Sequence, residues 1–477
     1  MTQMSSDECR YKIWRGLPAR RLPVLMVAAA VVSGVMAYSV PERSTPVAAV
    51  VVNGVPWYDR RDSIVSAHGA NIISDDGRYY MFGEFKTDSA NVFKGFSCYS
   101  SPDLANWNFE GMALEPQPEG ILGPGRVGER PKVLRCPSTG EYVMVMHSDN
   151  MRYKDPCVAY ATSPHVAGPY TFRGPLLYKG RPIRKWDIGT FADSDGNAYL
   201  LVHHGSIFRF APDCHSLDSC MSDKVAGVGE SPAMIRRGGR YYWFSSQTTS
   251  WERNDNMYVS SESLSGPWEK HGNFAPVGSN TWNSQTSFVL PVVNGADTTF
   301  VFMGDRWSFP KQRSAATYFW QPLQWTDGAP SLPEYWESWD ASTFRPVRTA
   351  CSPLVSLPWT GTIPGEACSH VISLGGDGRI YIKGPTDADG AYAEVEKRDG
   401  EGNLCVRTPV DFYSLAPADG LRYISPVLGE GRYKVTVRVS DMSPVWTDKK
   451  RNRFGSKGHK VQLSEIGHIP YSHMNIE

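Results

Sequence analysis

The residues with the most chemical capacity sit at matching places in a repeating pattern. They occur in Ala67-His68-Gly69, Glu129-Arg130-Pro131, Trp186-Asp187-Ile188, Glu230-Ser231-Pro232 and Asn283-Ser284-Gln285. Each group precedes an apolar run and so opens a strand. A single acid at a strand start is usually a turn ligand, whereas five polar groups in register point to one shared site. Glu129, Asp187 and Glu230 supply three carboxyls to it. Converging carboxyls suit cleavage of a glycosidic bond: one acid protonates the leaving oxygen, and a second group activates water or attacks. Neighbouring carboxylates raise one another's pKa, so a third acid can keep the donor protonated near neutral pH. A metal site is the competing chemistry. No calcium-loop pattern occurs, and His68, His147, His203 and His204 lack the spacing of zinc ligands. No metal or other cofactor is expected, with a structural calcium at the propeller axis left open.

A second repeat supplies the elements that must position these groups. A glycine turn leads into a strand-like run in Gly77-Arg78-Tyr79-Tyr80-Met81-Phe82, Gly140-Glu141-Tyr142-Val143-Met144-Val145, Gly196-Asn197-Ala198-Tyr199-Leu200-Leu201, Gly239-Arg240-Tyr241-Tyr242-Trp243-Phe244 and Gly295-Ala296-Asp297-Thr298-Thr299-Phe300-Val301. The glycines are 63, 56, 43 and 56 residues apart, and a period near 50 marks a repeated supersecondary unit. Each lies between two strand-like runs, as the turn of a hairpin does. Ser101-Pro102-Asp103, Ser163-Pro164-His165 and Ser263-Leu264-Ser265 mark a later turn toward an outer strand. Four strands per unit and five units predict an all-β chain with a five-bladed β-propeller over residues 55–345. The first strand of each blade lines the axis of a propeller, so the five polar groups would meet at one mouth of the channel.

Composition agrees with that fold. The 477 residues include 49 Lys plus Arg and 49 Asp plus Glu, so the net charge is zero. Non-specific binding to nucleic acid needs a basic surplus to displace counterions, which excludes that partner. Glycine (44) and proline (35) are abundant, as many short turns require, and the 15 Trp, 23 Tyr and 19 Phe supply core and flat faces for sugar rings. Arg10, Lys12, Arg15, Arg20 and Arg21 precede an uncharged apolar run from Leu22 to Val40. That is the pattern of a signal peptide or signal anchor, about long enough to span a bilayer if uncleaved. Residues 1–54 are read as this segment plus a linker. The product is expected to be a secreted or extracytoplasmic monomer that meets a membrane only through the segment. Export permits disulfides, and Cys214 with Cys220 and Cys351 with Cys368 are the expected pairs. Over residues 352–477, the runs Arg379-Ile380-Tyr381-Ile382, Tyr392-Ala393-Glu394-Val395-Glu396 and Arg432 to Val439 alternate with period two. They predict a small β-sandwich-like region, either a carbohydrate-binding accessory or a structural cap. Beyond Ser443 the Lys/Arg-rich chain reads as a solvated tail.

The runs around His68, Glu129 and Glu230, with Tyr142 to His147, Asn283 to Val289 and Met303-Gly304-Asp305-Arg306-Trp307, resemble glycoside hydrolase family 43. More narrowly they resemble its exo-β-1,3-galactanase branch. The resemblance implies a five-bladed propeller and an inverting hydrolase that releases galactose from β-1,3-galactan or arabinogalactan. It implies Glu230 as general acid, Asp187 as the group that tunes and orients it, and Gln285 as base. His68 holds the place where most of the family carries a base aspartate, and Asp62 falls outside the common offset. Glu129 matches a glutamate that contacts substrate, and His68, Arg130, Trp251, Asn283, Asp305 and Arg306 complete the implied substrate-binding set. The run Thr249 to Asn254 departs from the family pattern, which leaves arabinofuranosidase and xylosidase activities open. A neutral amide is a feeble base, so a sugar-binding propeller without catalysis is the alternative reading. A protein-binding scaffold has no need of acids at one channel mouth.

Overall fold

The computed structural model describes residues 49–295, 297–348 and 352–470. The expected export segment and Ala296 lie outside them. The described chain is almost wholly β. Five sheets, antiparallel through their principal strands, follow one another in sequence. The first runs through His68–Asp75, Arg78–Glu84, Phe96–Ser101 and Asn108–Leu114. The second runs through Arg126–Arg135, Tyr142–Asn150, Cys157–Ser163 and Thr171–Pro175. The third is built on Ile188–Ala192, Ala198–Val202, Ser206–Phe210 and Leu217–Ser222. The fourth contains Glu230–Arg237, Arg240–Ser246, Met257–Ser261 and Glu269–Asn273. The fifth has Gln285–Asn294, Asp297–Arg306 and Thr317–Pro322. All five turn glycines lie between the first two strands of their sheets at positive φ, from +62° at Gly295 to +83° at Gly196. At those angles a side chain would be strained, which is why the same residue recurs.

Each sheet is apolar on both faces because each packs between two others. Phe82 and Phe96 of the first sheet share a core with Val133 and Met144 of the second. Val143 and Val145 pack with Leu200 of the third, whose Tyr199 and Leu201 meet Met234 and Trp243 of the fourth. Phe244 meets Val289 and Phe302 of the fifth, and Val301 and Met303 return to Ile72 and Met81 of the first. The leading strands adjoin in the same cyclic order. Lys132 fastens them from within: its Nζ donates to Gly69 O (2.7 Å), Ala70 O (2.8 Å) and Ser287 O (3.1 Å), joining sheets two, one and five. A calcium at this place would compete with that ammonium for the same carbonyls.

Part of the expected linker is structured. Val50–Val52 pairs with Ser338–Asp340, and the buried Asn53 amide donates to Trp320 O and Trp336 O. The chain before the first sheet is thus tied to the chain after the fifth. Two four-stranded sheets follow, ordered Ser352–Gly361, Val461–Pro470, Gly378–Lys383, Leu421–Ile424 and Ala367–Leu374, Gly431–Val439, Tyr392–Arg398, Leu404–Asp411. They share one core, with Ile380, Ile382 and Leu463 against Val395, Val410 and Val437. The expected tail is therefore corrected: Val461–Pro470 is a central strand. The basic residues before it mask the apolar series Val461, Leu463, Ile466 and Ile469. The first expected disulfide is corrected too. Cys214 and Cys220 are both free thiols, and Cys214 lies against Cys136 of the preceding sheet instead. Cys368 is free, and Cys351 lies outside the described residues.

Candidate active site

The leading strands share a local distortion that explains the recurring triplets. The pairing register slips after His68, after Glu129 and after Glu230. The following residue is left-handed in each case: Gly69 at +62°, Arg130 at +52° and Ser231 at +56°. These are β-bulges, which re-aim side chains. A regular strand would send Glu129 and Arg130 to opposite faces; the bulge lets both reach one pocket.

That pocket gathers Glu230, Gln285, Asp187, Glu129 and Arg130, all buried. Gln285 Nε2 donates to Glu230 Oε1 at 2.9 Å and to Ser250 O at 3.2 Å. Its Oε1 accepts from Arg130 Nη2 (2.7 Å) and Trp307 Nε1 (2.8 Å). Asp187 Oδ2 accepts from Ser231 N (3.0 Å) and Ser231 Oγ (2.9 Å), with Arg130 Nε at 3.5 Å. Burial, and then the charge of Asp187, hold the Glu230 carboxyl well above the usual range, against the opposing pull of Arg130. The pocket thereby biases Glu230 toward its protonated form.

Glu129 has the opposite character. Burial opposes its ionisation, but the hydrogen bond from His147 and the charge of Lys86 hold it below the usual range. Its Oε1 accepts from Asn91 Nδ2 (2.6 Å) and Tyr153 OH (2.7 Å), and its Oε2 pairs with His147 Nδ1 at 3.1 Å. His147 Nε2 faces Asp149 Oδ2 at 3.4 Å. Burial lowers the His147 pKa, yet Asp149 and Glu129 carry it up to about 9. Glu129, His147 and Asp187 come close enough to bracket a metal ion. Both ring nitrogens of His147 already face carboxylate oxygens, those of Glu129 and Asp149.

The other expected residues divide. Asp305 lies beside the pocket, accepting from His68 Nδ1 (3.1 Å) and Gly69 N (3.0 Å), while His68 stacks on Tyr318. Trp251 adjoins the Ser250 carbonyl that Gln285 contacts and stacks on Phe309. Arg306, next to Asp305 on a regular strand, takes the opposite face: it donates to Trp282 O and lines an outer cavity with Arg253 and Arg422. Asn283 donates to Ala416 O and accepts from Ser414 Oγ, so both Asn283 and Arg306 face the C-terminal sheets rather than Glu230. Asp62 is an exposed turn residue. An inverting acid and base stand about 6.5–9.5 Å apart to admit water, whereas Gln285 touches Glu230 directly. Lys132, Glu84, Asn91 and Tyr153 escaped sequence reasoning. For Lys132 the signal was a lysine inside an apolar strand.

The family model for glycosyl hydrolases family 43 matches residues 64–330. The chain belongs to glycosyl hydrolase family 43. This family 43 hydrolase is 26% identical to an exo-β-1,3-galactanase of Phanerochaete chrysosporium whose structure holds galactose, with a TM-score of 0.65 over 88% of this chain and 100% of that one. Variants of that enzyme with one glutamate replaced hold β-1,3-galactotriose. A protein of Bifidobacterium bifidum s17, provisionally named an exo-β-1,3-galactanase, is 33% identical over 59% of this chain and 96% of its own, with a TM-score of 0.56. An exo-β-1,3-galactanase of Clostridium thermocellum, 23% identical with a TM-score of 0.57 over 88% of this chain and 100% of its own, shares the fold. No curated protein sequence matches this family 43 hydrolase.

Proposed function

We propose that this glycoside hydrolase releases galactose from the non-reducing ends of β-1,3-galactan, with the five cyclic sheets acting as the blades of a propeller. The observation that carries the mechanism is Glu230: a buried carboxyl kept protonated by its surroundings and hydrogen-bonded by Gln285. Glu230 donates its proton to the leaving oxygen. Asp187 sustains that proton by its charge, and Arg130 keeps Asp187 and Gln285 in place.

Gln285 serves best as the group that orients Glu230. Both lone pairs of its oxygen and both its N–H groups are already engaged, which leaves it nothing to offer a water. Glu129, held ionised on another sheet with its Oε2 bonded to His147, is the carboxylate assigned to draw a proton from water. Substrate specificity for galactan is supported by the relatives' names and bound sugars, and export by the basic and apolar segment at residues 10–40. The test is product analysis. Galactose should be the sole early product from β-1,3-galactan, with Glu129→Gln losing far more rate than Gln285→Asn. Binding of galactan without release of sugar would overturn catalysis in favour of a lectin-like role.

A further inference from the structure

We propose that the hairpin Val445–Gly455 of the C-terminal sheets is the outer wall of the acid pocket, and that Lys449, lying on the open face of Trp186, closes the pocket to anything but a chain end. The inference rests on the glycosidase reading of the pocket and adds where its end-specificity comes from.

The hairpin is well built. Val445–Thr447 pairs with Arg453–Gly455, placing Trp446 opposite Phe454. Its tip is stapled by Asp448, whose carboxylate accepts from Lys450 N (2.8 Å), Asn452 N (2.9 Å) and Asn452 Nδ2 (2.9 Å). At the stem, the buried Trp446 stacks on Phe454 and meets Trp251 edge-on, with centroids 6.5 Å apart. At the tip, Lys449 Nζ lies 4.4 Å from the centroid of Trp186. His203 already covers the other face of that indole, stacked at 3.6 Å.

Those two tryptophans are chain neighbours of residues that build the acid pocket. Trp186 immediately precedes Asp187, and Trp251 follows the Ser250 carbonyl held by Gln285. One hairpin therefore touches the residue before Asp187 and the residue after Ser250, in loops of two successive sheets. Other C-terminal residues bond the loops that follow Arg240–Ser246 and Asp297–Arg306. Arg253 Nη2 donates to Asp411 (3.2 Å), Tyr413 OH to Glu252 (2.6 Å) and Tyr392 OH to Ser308 O (2.8 Å). An exposed indole is a stacking platform for sugar rings, but Trp186 has neither face free. A chain cannot run on past Asp187 without displacing the ammonium.

The test uses the full chain, a variant with Asp448–Asn452 replaced by Asn-Gly, and Lys449→Ala. Substrates are β-1,3-galactooligosaccharides with free or blocked non-reducing ends. The native enzyme should release only monosaccharide, and only from free ends. The shortened variant should cut blocked chains internally at least tenfold faster than the native enzyme. Native product pattern and KM in a folded shortened variant would overturn the wall. A second readout needs no substrate: hydroxyl-radical oxidation of Trp186, followed by mass spectrometry, should rise several-fold in both variants. Lys449→Ala alters one exposed side chain and keeps this measurement available if the shortened variant misfolds. Unchanged Trp186 oxidation overturns the inference. A rise in oxidation with β-1,3-galactan left intact by the native enzyme supports the wall and overturns the galactan reading.

Discussion

At the scale of single residues, the pocket works by opposed protonation: Glu230 is kept acidic in form and Glu129 is kept charged. Glu230→Gln should therefore cut kcat on natural galactan by roughly 10²–10⁴-fold, the usual range for a lost general acid. Aryl glycosides with good leaving groups should suffer less, and equal losses on both substrates would exclude Glu230 as the acid. Asp187→Asn removes the negative neighbour that raises Glu230. Glu230 would then lose its proton at a lower pH, so the alkaline limb of kcat/KM should move downward; a limb that stays put would separate Asp187 from the acid. Much of this site was legible because residue type, offset and repeat coincided at Glu129, Asp187, Glu230 and Gln285. Asn283 and Arg306 bond toward the C-terminal sheets and Trp282, an orientation that sequence proximity to Gln285 and Asp305 does not reveal. Asn91 and Tyr153 escaped notice because they reach Glu129 from loops outside the repeat.

Between elements, buried cations replace what a small polar core could not. Lys132→Met would leave three buried carbonyls without their shared donor, and an unsatisfied buried acceptor costs about 1–3 kcal/mol. A fall in thermal midpoint equivalent to several kcal/mol is expected, and a native midpoint would show that the ammonium is dispensable. His147, on the second strand, pairs with Glu129 on the first. Its folded pKa, about 9, exceeds the ordinary 6.5. The stabilisation is therefore complete below pH 6.5 and disappears as pH rises through 9. Thermal midpoints should decline across that window in the native protein and decline less in His147→Gln. The five-sheet repeat was readable from turn glycines alone, since positive φ restricts the choice of residue. The strand Val461–Pro470 was not, because the lysines and arginines before it outweigh its own alternation in any local reading.

For the molecule as a whole, the C-terminal sheets belong to the pocket as well as beside it. NMR of early products should show the α-anomer of galactose, the outcome of direct attack by an activated water; a β-anomer as first product would require a covalent intermediate instead. Ending the chain at residue 460 removes the strand between Ser352–Gly361 and Gly378–Lys383. Loss of soluble, cooperatively folding protein is expected, whereas a mere tail could be removed without effect. The position of that strand also sets a timetable. It is the last of the two C-terminal sheets to be synthesised, yet both its neighbours wait for it, and domains fold in order as the chain emerges. The five-sheet ring can be complete while the hairpin wall still lacks its foundation. During biosynthesis the acid pocket is thus assembled open and acquires its boundary at the end, so a stalled ribosome would leave an enzyme with its acids in place and its chain-end selectivity unfinished.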